Sequence, residues 1–228
     1  NNELTNDIHL PNSLTFVSHH LFRNNKLTNV VIPNSVTKID PSAFENNKLT
    51  NIEIPNSVTH IEPLAFRKNK LTNIEIPDSV TKIGHNAFMS NKLMSVVIPN
   101  SVTYIGHSAF KNNELTNIVL SNSLKHIDDN TFYQNRLTHI VIPNSVIKIG
   151  NCTFGHNKLT NLSIPNSVIY IGHHSFEHNK LINLVIPNSV TTIESCAFNY
   201  NKLISISIPK KFKNIKHHIL YIFRFSLQ

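Results

Sequence analysis

The chain has 228 residues, of which 40% are hydrophobic, with 5 Gly, 11 Pro, 2 Cys and a formal net charge of +8. This content is too apolar for a disordered protein, and two cysteines exclude a small scaffold held together by disulfides. No run approaches the roughly 18 apolar residues that a membrane-spanning helix requires. The basic balance is compatible with an anionic partner but does not identify one.

A repeat of 22 residues organises the whole sequence. Its unit reads L-T-N-[IV]-x-I-P-N-S-V-T-x-I-x-x-x-A-F-x-x-N-K, and the first copy carries one extra residue. A single unit of this length cannot bury its own apolar side chains, so successive units have to stack into a solenoid. The predicted coils begin near Leu4, Leu27, Leu49, Leu71, Leu93, Leu115, Leu137, Leu159, Leu181 and Leu203.

Each unit begins with a short strand. In the second unit, Val30 and Ile32 alternate with Asn29 and Val31, which predicts that one pair points inward and the other outward. Pro33 ends the strand because it has no N–H to donate. Stacked copies, about 4.8 Å apart, form a parallel sheet on the predicted concave face.

The rest of each unit returns across the convex side through short helical or irregular turns. Asp40-Pro41-Ser42 is typical of a cap followed by the first turn of a short helix. Glycine occupies the Asp40 column in four later units, where it would tolerate a positive φ. A column of asparagines near the end of each unit is expected to bind loop backbone through its side chains. These asparagines are Asn25, Asn47, Asn69, Asn91, Asn113, Asn135, Asn157, Asn179 and Asn201.

The unit resembles the BspA-like, or Treponema-type, leucine-rich repeat, with its L-x-x-[LIV]-x-[LI]-P-x-S-[LV]-x-x-I-x-x-x-A-F core. This chain has 22 residues per unit where 23 is commoner, and Asn where Cys often stands near the end. The resemblance implies a leucine-rich-repeat solenoid of about ten coils. Members of the family are commonly bacterial or protozoan surface proteins that adhere to host matrix or to other cells. The resemblance therefore implies an extracellular or cell-surface adhesion module.

The solenoid is expected to occupy residues 1–220. Residues 221–228 belong to no unit, and we predict that they form a C-terminal cap or tail over the exposed end of the core.

The outward side chains of the concave sheet are the first candidate site. Valines form an apolar stripe with two carboxylates at one end and amides beside it, a composition suited to binding another protein. The preference of strands for β-branched residues explains the same valines without a partner. The candidate residues are Glu53, Glu75, Val97, Val119, Val141, Asn117 and His139.

A line of cations is the second candidate site. It precedes the leucine of each unit, is interrupted by Glu114, and carries, with Glu114 included, +7 of the formal net charge of +8. Such a ridge could bind an anionic glycan, lipopolysaccharide or nucleic acid, or could simply be a row of solvated turn residues. Nucleic acid is disfavoured because no stacking aromatics interleave with the cations. The basic ridge consists of Lys26, Lys48, Lys70, Lys92, Arg136, Lys158, Lys180 and Lys202.

The sequence offers little for metal, cofactor or catalytic chemistry. His85, His107 and Asp129 share a column in three successive units, and two imidazoles with one carboxylate can bind a metal. In a chain with 14 His such a column arises easily by chance, so we predict no metal site and no cofactor. There is no Gly-rich phosphate loop, nucleophile elbow or H-E-x-x-H motif. We therefore predict that the chain is not an enzyme, and that it is a binding module or a structural spacer.

Overall fold

The computed structural model describes residues 4–5 and 7–213, so the predicted cap at 221–228 lies outside the described residues. This part of the chain is a solenoid of short parallel strands. In chain order they are β1 (Ile8–His9), β2 (Phe16–Val17), β3 (Val30–Val31), β4 (Lys38–Ile39), β5 (His60–Ile61), β6 (Lys82–Ile83), β7 (Ser95–Val97), β8 (Tyr104–Ile105), β9 (Asn117–Val119), β10 (His126–Ile127), β11 (Lys148–Ile149), β12 (Tyr170–Ile171), β13 (Asn183–Val185), β14 (Thr192–Ile193) and β15 (Ser205–Ser207).

The first side of the coils contains the predicted strand in six of them, as three two-stranded parallel sheets that we call together the first sheet; the coils that begin at Leu49 and Leu71 have no strand there. Strand β1 pairs with β3, β7 with β9, and β13 with β15, always in parallel, and an isolated bridge joins Val141 to Ser163. Val30 is buried and Val31 is 44% exposed, so the inward and outward alternation predicted from the sequence is confirmed.

A second parallel sheet runs along the next side of the coils, where irregular or helical chain was expected. Its strands follow the orders β2-β4-β5-β6-β8 and β10-β11-β12-β14. Ile39 pairs with Ile61 and Ile61 with Ile83, and all three are buried. Nine coils contribute a strand to this side, so nine complete turns lie within the described residues. The coil that begins at Leu203 adds β15 and a four-residue helix, α1 (Lys210–Lys213).

The third side is a turn, and the short helix suggested by Asp40-Pro41-Ser42 is absent from it. Ser42 and Asn46 have φ values of 57° and 58°, which a right-handed helix does not allow. The backbone N–H groups of Ser42, Phe44 and Asn46 donate to the following coil at 2.8–2.9 Å. Because these N–H groups donate to the next coil, they cannot form the hydrogen bonds of a helix. The stacking of the coils therefore determines the conformation of the turn.

The core is a stack of phenylalanine rings flanked by leucine, valine and isoleucine columns. Successive rings from Phe22 to Phe198 lie between 5.3 Å and 5.8 Å apart, centroid to centroid, with interplanar angles of 1° to 16°. From Phe44 onward these rings are fully buried. Residues 22 apart in sequence are therefore direct neighbours in space, which confirms the predicted stacking of the units.

The asparagine column joins each coil to the one before it, as predicted. Asn69 is buried, its Nδ2 donates to the carbonyls of Phe44 and Phe66 at 2.9 and 3.1 Å, and its Oδ1 accepts from the Leu49 N–H at 3.1 Å. The same three bonds recur from Asn47 to Asn201. One amide thus satisfies three backbone groups that would otherwise be buried without a partner.

The glycines of the Asp40 column do not have positive φ, contrary to what their type suggested. Glycine is required at these positions because the backbones of neighbouring coils approach closely there and leave no room for a Cβ. A Cβ on Gly106 would lie 2.6 Å from the backbone nitrogen of His85. The positive φ falls two residues later, at Asn86 and Ser108.

Replacement of Asn113 by Ala should destabilise the protein by about 3 kcal/mol or more, because it leaves buried backbone groups of Leu93, Phe88 and Phe110 without a partner. Asn117→Ala, which alters an exposed residue of the following coil, is the control and should change stability by less than about 0.5 kcal/mol. Urea unfolding followed by circular dichroism measures both. Equal effects of the two substitutions would contradict the structural role of the column.

Candidate binding surface

The outward side of the first sheet carries all the predicted binding residues of the concave face at its surface. Val97, Val119 and Val141 are 62%, 51% and 77% exposed. Val97 and Val119 are direct partners in the parallel register of β7 and β9. Exposed valines of this kind forgo the free energy that burial of their apolar area would provide.

Two shallow depressions gather part of the predicted set. One, of about 640 Å³, is lined by Glu75, Val97 and Val119 together with Asp78 and several amides. The other, of about 490 Å³, is lined by the carboxylates of Glu53 and Glu75 and by several asparagine side chains. The structure therefore brings Glu75, Val97 and Val119 together and links them to Glu53.

The remaining three predicted residues lie on the same face but outside the lining of these depressions. Val141 belongs to the next coil after Val119. Asn117 is exposed at the start of β9, and the His139 ring contacts the Thr138 hydroxyl at 3.2 Å.

One edge of this surface was missed at the sequence level. The residue that follows the proline column lines the depressions in five coils, and in one of them it adds a third carboxylate, Asp78. No role was predicted for this position, although the repeat places it in a column that directly follows the strand. The residues of this edge that line the two depressions are Asn34, Asn56, Asp78, Asn100 and Asn122.

The basic ridge borders the opposite edge of the face. All eight of its cations are exposed. The backbone N–H of each ridge residue donates to the leucine carbonyl of the preceding coil, as Lys70 does to Leu49 at 2.9 Å, so the spacing of the ridge is fixed by the solenoid. Arg136 forms an ion pair with Glu114 at 3.1 Å. This pair separates four lysines on one side from three on the other.

The histidine column considered for a metal makes coil-to-coil contacts instead. His85 Nδ1 accepts a hydrogen bond from the His107 backbone N–H at 2.9 Å, and Asp129 Oδ1 accepts one from the Asn151 N–H at 2.7 Å. In both coils the side chain accepts a hydrogen bond from a backbone N–H of the next coil, so residues at this position have a structural role.

A different cluster lies on the turn side of the coils and was not predicted. One nitrogen of His156, one of His178 and one carboxylate oxygen of Glu177 all lie within 4.8 Å of one another. The only sequence signal for it is that histidine occupies two successive positions of a column whose other residues vary. Burial, reinforced by His178, lowers the pKa of His156.

Across residues 4–5 and 7–213, no helix has the length and apolar character needed to cross a membrane.

Comparisons with known proteins agree with this architecture. The sequence model of the BspA type leucine-rich repeat region matches residues 1–116 and 103–224, in 6 copies. A leucine-rich repeat protein from Bacteroides ovatus has a TM-score of 0.62 and 22% identity, over 90% of this chain and 66% of that one. One from Eubacterium ventriosum has a TM-score of 0.65 and 24% identity, over 88% and 60%.

A leucine rich cell surface protein from Faecalibacterium prausnitzii has a TM-score of 0.50 and 24% identity, over 90% of this chain and 60% of that one. This chain therefore spans about two thirds or less of the length of these three structures. A comparison with curated protein sequences found no significant match. Because the repeat model covers nearly the whole sequence and the solved relatives share its fold, the chain belongs to the BspA-type leucine-rich repeat family.

Proposed function

We propose that this chain is a non-catalytic binding module that holds a protein partner on the outward side of its first sheet. The observation that supports this most strongly is the depression of about 640 Å³ in which Glu75, Val97 and Val119 meet. Exposed apolar side chains beside carboxylates and amides have the composition of a protein-binding surface, with an apolar centre and a polar rim.

The composition of the depressions supports a particular chemistry for the partner. Val97 and Val119 offer an apolar floor, and Glu53, Glu75 and Asp78 offer negative charge toward the N-terminal side of it. A partner segment that presents an apolar side chain followed by Lys or Arg would satisfy both parts. The charges would steer the partner toward the surface, and burial of the valines on binding would supply most of the affinity.

The rigidity of the surface favours binding as well. Val97 and Val119 stand on strands that pair with each other in register, and the N–H groups of Met94 and Thr116 each donate to the preceding coil. A preformed surface loses little conformational entropy when a partner binds.

We further propose that the module acts in adhesion at a cell surface. The BspA-type repeat and the likeness to a leucine rich cell surface protein of Faecalibacterium prausnitzii support this location.

Val119→Arg should weaken binding to the face by about 30-fold, or about 2 kcal/mol, because it places an unpaired charge on the apolar floor. The probe is a set of peptides selected from a displayed random library on the unmodified chain, with affinities measured by fluorescence anisotropy. We expect enrichment of peptides that combine an apolar residue with Lys or Arg.

Thr103→Arg is the matched control, since it adds the same charge at an exposed position preceding β8 of the second sheet and should leave affinity unchanged. Selected peptides that bind the Val119→Arg variant as tightly as the unmodified chain would refute the proposed face. Failure of the library to yield any binder would favour a structural spacer.

The basic ridge supports a second candidate function, the binding of a sulfated glycan or another polyanion. Its supporting observation is a row of exposed cations held at one residue per coil by backbone bonds. Neighbouring ammonium groups about 5 Å apart repel each other by about 1 kcal/mol in water before screening. A polyanion lying along the ridge would relieve this repulsion, and its binding would weaken with salt.

The triple substitution Lys48→Glu, Lys70→Glu and Lys92→Glu should abolish retention on immobilised heparin, because it reverses the charge of three of the four lysines in the longer run of the ridge. The control, Lys82→Glu with Lys125→Glu and Lys148→Glu, makes the same change of net charge along the second sheet and should retain most of the binding. Elution by a salt gradient is the measurement. Equal loss in both variants would mean that net charge alone, and not the ridge, attracts the polyanion.

A further inference from the structure

We propose that His156, Glu177 and His178 form a binding site for a divalent transition metal of the Zn²⁺ class, separate from both candidate surfaces. The potential ligand atoms, one from each residue, all lie within 4.8 Å of one another. Two imidazole nitrogens and one carboxylate oxygen are a ligand set that Zn²⁺ accepts, with water or another donor in the fourth position.

The stacking of the coils creates this site from residues that are far apart in sequence. The His156 backbone N–H donates to the Glu177 carbonyl at 2.8 Å, which places residue 156 beside residues 177 and 178. His156 and His178 both adopt positive φ, 55° and 52°. Because they occupy the same column with the same backbone conformation, their side chains leave the coils in the same direction.

A third histidine lies beside the carboxylate. His174 Nδ1 is 3.0 Å from Glu177 Oε2, which is ion-pair distance, but the contact does not have the geometry of a hydrogen bond. His174 is therefore a neighbour of the proposed carboxylate ligand and is not part of the ligand set.

Metal binding requires a local change of ring orientation. The His156 and His178 rings are stacked at 4.3 Å with an interplanar angle of 28°, and the Tyr200 ring stacks on His178 at 4.3 Å. A metal lies in the plane of each imidazole that binds it, so two nearly parallel rings cannot point at one ion. At least one ring has to turn about its side-chain bonds, which opens the His156–His178 stack.

The test is titration of the whole chain with Zn²⁺ by isothermal calorimetry, and with Co²⁺ by visible absorption, which reports tetrahedral nitrogen and oxygen ligation. We expect one strong site per chain. His156→Asn, His178→Asn and Glu177→Gln should each weaken it by about tenfold or more. Asparagine is the matched replacement because Asn24, Asn46 and Asn112 occupy the same column with φ values of 56° to 58°, so these variants should fold normally.

The control is the double variant His85→Asn and His107→Asn, which removes two histidines from another column and should bind Zn²⁺ as the unmodified chain does. Thermal melting supplies a second readout: Zn²⁺ should raise the Tm of the unmodified chain and of the control, but not of His156→Asn with His178→Asn. Affinity that persists in this last variant, or that falls equally in the control, would overturn the proposal. Competition by Mg²⁺ or Ca²⁺ would do so too, since those ions prefer oxygen ligands.

Discussion

The structure depends on the hydrogen bonds that each buried asparagine makes to the backbone of two coils. Each coil is too small to be stable alone, and its returning loop carries backbone groups that water cannot reach. Asn69 shows how this is solved, because its amide accepts from Leu49 and donates to Phe66 in its own coil, and also donates to Phe44 in the preceding coil. The phenylalanine stack fills the space beside the amides. Both columns require successive units to lie in register. The same register aligns the outward residues of successive coils in rows, and these rows form the candidate binding surfaces.

The sequence predicted the parts of the fold that repeat strictly. The spacing of leucine and phenylalanine is enough to infer coils, a shared interior and the alternation of Val30 and Val31, all of which the structure contains. The second sheet and the left-handed turns could not be inferred in the same way. Local patterns such as Asp40-Pro41-Ser42 favour a short helix in isolation, and only hydrogen bonding between coils favours the conformation observed.

The candidate sites differ in the same way in how far they could be predicted from the sequence. The exposed columns of the first sheet were predictable because their residues share one strand position, and Val97 and Val119 are direct neighbours as expected. The contribution of Asp78 was not predictable, because it depends on how closely a turn approaches the strand face. The His156, Glu177 and His178 cluster was missed for a related reason. It joins two neighbouring columns, and only the offset between coils brings residue 156 next to residue 177.

In-register stacking of the coils is thus the central claim, and nuclear Overhauser effects between phenylalanine rings test it most directly. The Phe88 and Phe110 rings lie 5.3 Å apart, centroid to centroid, so their protons should give strong cross-peaks in protein labelled at phenylalanine. The account predicts such contacts between phenylalanines 22 residues apart along the stack from Phe22 to Phe198. Absence of these contacts, or contacts at a different spacing, would contradict the register and with it every surface derived from it.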